Sequence, residues 1–474
     1  MKEKKLLFIQ PDPFTWIGKM SISAVLKNAG HQCELLIEPA EKNLIQKIKQ
    51  INPDMIGLSA TTGMHTWVTQ KAKELKKHFS IPILFGGPHP TFFPEIIKDK
   101  NIDIICRGEG EYPTLELLND IERTDIKNLW IKHDGKIYKN EMRQLNDINQ
   151  LPLPDRSLYY KRYKFLREQV SRYFVFMRGC PYNCSFCYNH SLRNLCKGKG
   201  AYTRYKTQNK IIKELLQVKK RWGLKGAMFF DEVIFLKKDW AMELLTKIKR
   251  YVNIPYLTEA RADLLDKELI IKLKETGCYC IRMGVESGND RIRNDVLRKN
   301  LTNQQIITAS KLIKKQKMLL ETYNMVGLPT ETLENAIETL DFNKKIKADY
   351  AWCSIFQPYP KTDLANIAIK TGQLDPSFTE NVEPSFFVNT PMKIKNKKEI
   401  INLQKLFALA VRFKIPTSVI RQLIKLPNNK IYDLLFRIGY IYLTLKTTKI
   451  GFKGLYKQGK LTTKYFKKKA GENK

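Results

Sequence analysis

The segment Arg178-Gly-Cys-Pro-Tyr-Asn-Cys-Ser-Phe-Cys-Tyr-Asn189 sets Cys180, Cys184 and Cys187 in a Cys-x3-Cys-x2-Cys spacing. Three thiols so close in sequence can serve one inorganic centre from a single loop. Iron–sulfur clusters are held by cysteinate, so three thiolates can ligate three irons of a cubane and leave the fourth open to a small chelating molecule. A zinc site is the competing reading: Cys196 could complete a tetrahedral set, although the usual zinc signature pairs cysteines as Cys-x2-Cys. Cys33, Cys106, Cys278, Cys280 and Cys353 fall mostly in strand-like segments and read as packing thiols.

The elements that must position this loop alternate between periods of two and 3.6. In the first 125 or so residues, strands are expected at Lys5–Ile9, Cys33–Ile37, Asp54–Ser59, Ile81–Phe85 and Asp103–Cys106. Helical patterns at Met20–Asn28, Glu41–Gln50 and Trp67–His78 fall between them, the pattern of an open parallel sheet covered on both faces. Trp130–Tyr138 reads as a hairpin turning at Asp134-Gly135, and the run from Leu151 to Asp155, with its two prolines, as a linker. A second series begins at Tyr173–Arg178 and continues with Ala227–Asp231, Tyr256–Ala260, Cys278–Glu286, Leu319–Val326 and Tyr350–Phe356. Helices such as Gln208–Trp222 and Asp239–Tyr251 fit between these strands. Six such units suit an open partial barrel better than the closed eight-unit form, which usually needs about 250 residues. Beyond Gly372 the alternation ends, and Lys398–Leu445 reads as helical.

A Cys-x3-Cys-x2-Cys loop after the first strand of such a series resembles the radical S-adenosylmethionine (SAM) superfamily. The resemblance implies a [4Fe–4S] cluster on Cys180, Cys184 and Cys187, SAM on the open iron, and reductive cleavage of SAM to a 5′-deoxyadenosyl radical. Phe186 matches the aromatic that lies near the SAM adenine in this superfamily. Asp231 and Glu232, ending Phe229-Phe-Asp-Glu232, partly match its Gly-Gly-Glu segment and imply contacts to the SAM amino group; the plain alternative is a pair of surface acids at a strand end. Carboxylates suit an ammonium because charge-assisted hydrogen bonds are strong. Glu259-Ala-Arg-Ala-Asp263, Arg282-Met-Gly-Val-Glu-Ser-Gly288 and Asn324-Met-Val-Gly-Leu-Pro329 resemble further barrel-mouth segments. They imply Arg261 for the SAM carboxylate, Glu286 for the ribose hydroxyls and Gly327 for close backbone approach. Phe356-Gln-Pro-Tyr-Pro-Lys-Thr362 resembles a Pro-x-Pro-Gly-Thr segment, with Lys361 in place of the glycine. No side chain is assigned a catalytic role.

Open parallel sheets bind ligands at the carboxyl ends of their strands, and three such ends here are small or polar: Ser59-Ala-Thr-Thr62, Gly86-Gly-Pro-His89 and Gly108-Glu-Gly-Glu111. They resemble the cobalamin-binding domain fused to many radical SAM enzymes, implying Ser59, Thr61, Gly86, Gly87, Gly108 and Glu109 as cofactor contacts. No Asp-x-His-x-x-Gly motif is present, so no histidine ligand to cobalt is expected, and His65 and His89 are loop residues at the pocket. A sheet domain without cobalamin is the alternative. The expected fold class is α/β: an N-terminal Rossmann/flavodoxin-like parallel-sheet domain (1–145), a linker (146–170), a partial (β/α)6 barrel (171–372) and a mainly helical basic C-terminal region (373–474).

Composition narrows the setting. With 43% hydrophobic residues the chain of 474 can build packed cores. The opening residues show no signal-peptide pattern and the cysteines no disulfide framework, so a reducing cytoplasm is expected. No stretch reaches the roughly 18 apolar residues of a membrane span; Ile431–Leu445 is too short and contains Asp433 and Arg437. Half of the +36 net charge lies beyond Pro391, where 21 Lys and Arg face Glu399, Asp433 and Glu472. The choice there is between a solvated tail and an anionic partner, including peripheral contact with the inner face of the membrane. Within Lys398–Leu445, Leu403, Leu406, Phe407 and Ala410 form an apolar face for which packing on the barrel is expected ahead of lipid contact.

The function these features imply is cobalamin-dependent methylation of an unactivated carbon in a small-molecule or lipid substrate, with an electron donor such as flavodoxin or ferredoxin. Cyclisation or rearrangement with the same cofactors is the first alternative. A tRNA methylthiotransferase is disfavoured, because that family needs three N-terminal cysteines and only Cys33 and Cys106 precede the linker; nucleic acid is not expected as a partner. A non-enzymatic binding or electron-transfer protein is the last alternative. Anaerobic reconstitution should load four irons, and Cys184→Ala should abolish SAM cleavage; one bound zinc and no SAM cleavage in the wild-type protein would reverse the cluster assignment.

Overall fold

The computed structural model describes residues 2–378 and, beyond them, 382, 387, 389–427, 430–448, 456–457 and 459–461. The chain forms two compact units, one dominated by Met1–Gln169 and the other by Val170–Leu195 with Tyr202–Gly451.

In the first unit, β1 (Lys5–Gln10), β2 (Gln32–Ile37), β3 (Met55–Ser59), β4 (Ile83–Gly86) and β5 (Ile104–Cys106) are parallel, and β6 (Leu129–His133) and β7 (Lys136–Lys139) add an antiparallel hairpin. The order is β2-β1-β3-β4-β5-β6-β7. Strand order therefore reverses between β1 and β3, where a sheet of this kind opens a crevice at its carboxyl edge. Branched residues such as Leu7, Ile9, Ile56, Leu58, Ile83 and Ile105 fill its core. Both turn residues of the hairpin, Asp134 and Gly135, have positive φ, as a tight two-residue turn demands. The segment expected as a linker is packed instead. Tyr159 and Tyr160 are fully buried; the Tyr159 hydroxyl donates to Gln10 Oε1 at 2.8 Å, and that of Tyr163 to Glu41 Oε1 at 2.7 Å. Its prolines signal a break in regular structure, but its aromatic residues require burial.

In the second unit, β8 (Ser171–Phe174) leads to a short antiparallel pair, β9 (Met177–Arg178) with β10 (Arg204–Tyr205). The single strand expected over Tyr173–Arg178 is thus two strands with a break. β11 (Gly226–Phe229), β12 (Tyr256–Ala260), β13 (Cys278–Glu286), β14 (Leu319–Val326) and β15 (Tyr350–Ile355) complete a six-stranded sheet with β8, in the order β15-β14-β13-β12-β11-β8. All its pairings are parallel, which makes the expected partial barrel. Side chains alternate across each strand. Ala227 and Phe229, Ile281, Met283 and Val285, and Ala351 and Cys353 join the core formed with the surrounding helices. The alternate residues, including Glu259, Arg282, Glu321, Tyr323 and Trp352, fall on the opposite, inner face.

The helix Lys397–Arg412 belongs to this unit. Its Leu403, Leu406, Phe407 and Ala410 are buried in the barrel core, so the apolar face read from the sequence packs on protein. The Gln404 amide donates to the carbonyl of Cys353 on β15 at 3.0 Å. Most of residues 451–474 lie outside the described residues. No helix among the described residues is long and apolar enough to cross a membrane. Leu403→Glu should place an unpaired charge in the core and cost about 3 kcal/mol or more. An unchanged urea midpoint would show that this helix is not part of the barrel's cooperative fold.

Candidate functional site

Each end of the cysteine loop is fixed by a different device. At its start, the fully buried Asp231 accepts the backbone N–H groups of Phe176 and Met177 on Oδ1, at 2.6 and 2.8 Å. Gly179 follows with φ +84°, and a Cβ there would collide with the Tyr202 carbonyl, so the turn into Cys180 admits only glycine without rearrangement. In the middle, Ser185 N donates to the Leu297 carbonyl at 3.0 Å and its Oγ to the Val296 carbonyl at 2.6 Å. At the end, Cys187 N closes a turn onto the Cys184 carbonyl at 3.1 Å, and a helix, Tyr188–Leu195, begins at the next residue. Arg193 on that helix donates back to the carbonyl of Cys180 at 3.2 Å.

The loop leaves three accessible thiols. Cys180, Cys184 and Cys187 are partly exposed, whereas the other six cysteines, Cys196 among them, are buried. Burial pushes the Cys180 thiol up to about 11 and raises Cys187, opposed by N–H donation from Tyr182 and Asn189 respectively. Such N–H groups would also serve sulfurs bound to iron. Among the described residues, no three His, Cys, Asp or Glu side chains gather closely enough for one metal ion. A cubane does not require them to, because each thiolate takes a different iron. The donor set therefore fits a [4Fe–4S] cluster.

Of the other residues picked out from the sequence, Glu232 and Arg261 act on the thiols directly. Glu232 is exposed; its charge acts on both Cys180 and Cys187, and desolvation raises its own carboxyl. That position suits the ammonium of a chelating amino acid. Arg261 is more committed than expected. Its guanidinium is forked onto Asp263 (3.0 and 3.1 Å), donates to the Lys299 carbonyl at 2.9 Å, and stacks 3.7 Å from the centre of the Tyr182 ring. Its remaining nitrogen, Nη1, lies 4.0 Å from Cys184 Sγ. Glu286 has φ +65° at a register shift of β13, and its Oε1 is paired with buried Lys299 at 2.7 Å. Gly284 makes room for that pair: a Cβ there would collide with both. Phe186 packs on a second apolar cluster with Leu297, Leu328 and Phe356.

Two residues differ from their expected settings. Gly327 has φ +78°, but Ile394 fills the space beside it, at 2.8 Å from an added Cβ. Its N–H serves Glu331 instead, donating to Oε2 at 2.6 Å. Lys361, which stands where the related segment has glycine, adopts φ +65°, the left-handed conformation a glycine would take.

The inner barrel face carries residues that received no role from the sequence. The Tyr323 hydroxyl donates to Glu259 Oε1 at 2.8 Å, and Arg282 Nε meets Glu321 Oε2 at 3.0 Å. Burial pushes Glu259 up to about 7, against the opposing charge of Arg282. Tyr173 and Phe230 meet edge to face at 5.4 Å, as do Trp352 and Tyr440, the latter from the helix Lys430–Thr448. Closed barrels fill this space with branched apolar side chains; here it is acidic and aromatic. The available signal was a charged residue at alternate positions of otherwise apolar strands, as in Leu-Leu-Glu-Thr-Tyr of β14.

In the first unit the six expected contacts come together at the ends of β3, β4 and β5. Ser59 pairs in register with Gly86. Gly87 has φ +98°, and an added Cβ would lie 2.7 Å from Ser59 Oγ, so a bulky residue there would disrupt the strand ends themselves. At Gly86 a Cβ would stand in ordinary contact with the Cys106 side chain at 3.8 Å, so these strand ends carry little side-chain bulk. Gly108 N donates to Thr91 Oγ1 at 3.0 Å, and Glu109 Oε2 accepts from Asn146 N at 2.7 Å. His65 and His89 occupy first turns of helices rather than loops, and their rings stack 4.0 Å apart. Burial, with a smaller push from His65, lowers His89 to about 3 and keeps it neutral.

Comparison with known proteins follows the same division. The family model of the Radical SAM superfamily matches residues 174–342, and that of the B12 binding domain residues 11–118. An uncharacterized methyltransferase of Pyrococcus horikoshii is 31% identical over 359 residues, 74% of this chain and 76% of the relative. The anaerobic magnesium-protoporphyrin IX monomethyl ester cyclase of Rubrivivax gelatinosus is 24% identical over 397 residues, 76% of this chain and 69% of the cyclase. In fold, the chain is similar to the radical SAM methyltransferase TsrM of Kitasatospora setae, solved with cobalamin and a [4Fe–4S] cluster. The TM-score is 0.65 at 15% identity, covering 79% of this chain and 76% of that one.

The Asp231 anchor can be tested through pH. Burial pushes this carboxyl from 3.8 up to about 8. Between those values the folded chain holds a proton that the unfolded chain has released, so this group's contribution to stability falls as pH rises from about 4 to about 8. Asp231→Asn keeps an acceptor for both N–H groups and should flatten that part of the stability–pH curve. Asp231→Ala strands both, at about 1–3 kcal/mol each. Equal melting of the two variants at pH 7 would remove the anchoring role.

Proposed function

The chain belongs to the radical SAM superfamily, among its members with a B12 binding domain; its cofactors are a [4Fe–4S] cluster, SAM and cobalamin, and from that premise we propose that it methylates an unactivated carbon of a small-molecule or lipid substrate. When bound, the cluster and SAM supply a carbon-centred radical, and cobalamin supplies a transferable methyl group. The observation that carries the reading is an accessible three-thiol loop beside a polar, aromatic barrel interior, in one chain with a small-residue rim of the cobalamin-binding kind.

In this reading Cys180, Cys184 and Cys187 hold the cluster, and Glu232 takes the SAM ammonium. Arg261, stacked on Tyr182 beside Cys184, holds the loop and balances thiolate charge. Glu286 with Lys299, Phe186 and the backbone at Gly327 shape the SAM surroundings. Asp231 acts through the backbone as a positioning residue. Ser59, Thr61, Gly86, Gly87, Gly108 and Glu109 form the cobalamin rim. On the inner barrel face, Glu259 and Tyr323 offer the substrate a hydrogen-bonding pair, and Tyr173, Phe230 and Trp352 offer flat apolar surface. A flavodoxin or ferredoxin in the reducing cytoplasm would deliver the electron.

Oxidative cyclisation without methyl transfer is the second reading, favoured by the likeness to the Rubrivivax gelatinosus cyclase. Reconstituted protein, methyl-deuterated SAM and a small-molecule extract of cells lacking the gene separate the two. Methylation predicts a new product carrying the intact trideuteromethyl group, together with 5′-deoxyadenosine. A product formed with 5′-deoxyadenosine but without deuterium would overturn methylation in favour of cyclisation.

A further inference from the structure

The helix Lys430–Thr448 shows two faces. Its inner face is taken by protein: Tyr432, Gly439, Thr444 and Thr447 are buried, and Leu409 of the helix Lys397–Arg412 would lie 3.2 Å from a Cβ at Gly439. Lys405 Nζ reaches Asp433 at 2.7 Å, and Tyr440 packs on Trp352. The outer face is apolar and open to solvent. Leu434, Ile438, Ile441 and Tyr442 are 56%, 52%, 42% and 47% exposed. At about 100° per residue they fall within one arc of about 100°, roughly opposite the buried face. On the same wheel Arg437 lies just to one side of the arc and Lys446 to the other, and both are exposed.

Such a stripe needs a partner that is apolar at its centre and anionic at its rim. From Leu434 onward the sequence carries no acidic residue before Glu472, while ten Lys and Arg fall between them. A second copy of the chain would bring the same basic flanks against each other. Nucleic acid would satisfy the flanks and leave four apolar side chains against water or phosphate. A bilayer surface meets both demands, because an interfacial helix buries its apolar face at the acyl boundary while Lys and Arg remain among anionic headgroups. Crossing the bilayer is a different matter, and no helix among the described residues is fit for it.

We propose that the outer face of the helix Lys430–Thr448 seats this protein on the anionic surface of a lipid bilayer, with Leu434, Ile438, Ile441 and Tyr442 entering the interface and Arg437 and Lys446 meeting the headgroups. The contact is independent of which reaction the barrel performs.

The test is co-sedimentation of the full chain with vesicles of phosphatidylcholine alone or mixed equally with phosphatidylglycerol. Wild type should bind the mixed vesicles and lose binding between about 50 mM and about 500 mM salt. Leu434→Glu/Ile438→Glu, at exposed positions, should leave the melting curve unchanged and reduce partition by about tenfold or more. Wild-type partition in that variant would assign any attraction to the basic tail and overturn the proposal. Absence of wild-type binding to either vesicle would overturn it too, as would equal binding to both. A double variant that converts a dimer to a monomer without changing lipid partition would make this face a subunit interface instead.

Discussion

A carboxyl group shut away from water accepts two backbone N–H groups, and the course of the chain into the cysteine loop depends on that pair of bonds. Asp231 follows β11 and reaches Phe176 and Met177, which follow β8. It therefore ties the ends of two neighbouring parallel strands and fixes where the first cysteine emerges. From there Gly179 turns against Tyr202, Ser185 is held by Val296 and Leu297, and Arg261 lies over Tyr182. Each contact reaches a different segment of the second unit. The thiols are thus placed by the barrel as a whole and not by local turn geometry, as preorganised sites on rigid elements require.

The first unit solves a similar problem with less polar chemistry. The ends of β3 and β4 approach so closely that Gly87 has room for no side chain. His89 N bonds to the Ala60 carbonyl at 3.1 Å, and Thr91 links β4's following turn to Gly108 after β5. These ties hold three strand ends in one rim. The His65–His89 stack rests against Phe93, with His89 and Phe93 5.1 Å apart, so the rim gains aromatic surface, and His89 itself stays neutral.

Charge is distributed by location in the second unit. The chain carries a net +36, yet the inner barrel face and the cysteine surroundings collect Asp231, Glu232, Glu259 and Glu321 against Arg282 and Arg261. Basic residues dominate the C-terminal sequence, where they flank an exposed apolar stripe. Acids inside have few exits: burial raises Glu259 and Asp231, while Glu321 pairs with Arg282 at 3.0 Å. A protein that attracts anions from a distance can therefore present a neutral or acidic interior at close range.

Spacing along the chain governs part of this arrangement. Thiol positions, strand alternation and the Asp134-Gly135 turn follow local rules, and β12, β13 and β14 begin and end close to where periodicity puts them. Family resemblance extended this to the cofactors. What spacing leaves open is which polar group meets which, because that depends on strands brought together from distant parts of the chain. Folding alone settles that Asp231 serves backbone N–H groups, that Lys299 pairs with Glu286, and that Tyr323 on β14 reaches Glu259 on β12. It also settles the C-terminal faces. The apolar pattern in Lys397–Arg412 and that in Lys430–Thr448 look alike in sequence, but one helix lies on β15 and buries its face, whereas the other packs on that helix and leaves a stripe outside. Amphipathic periodicity gives a helix its two faces; the neighbours that remain available decide which face is covered.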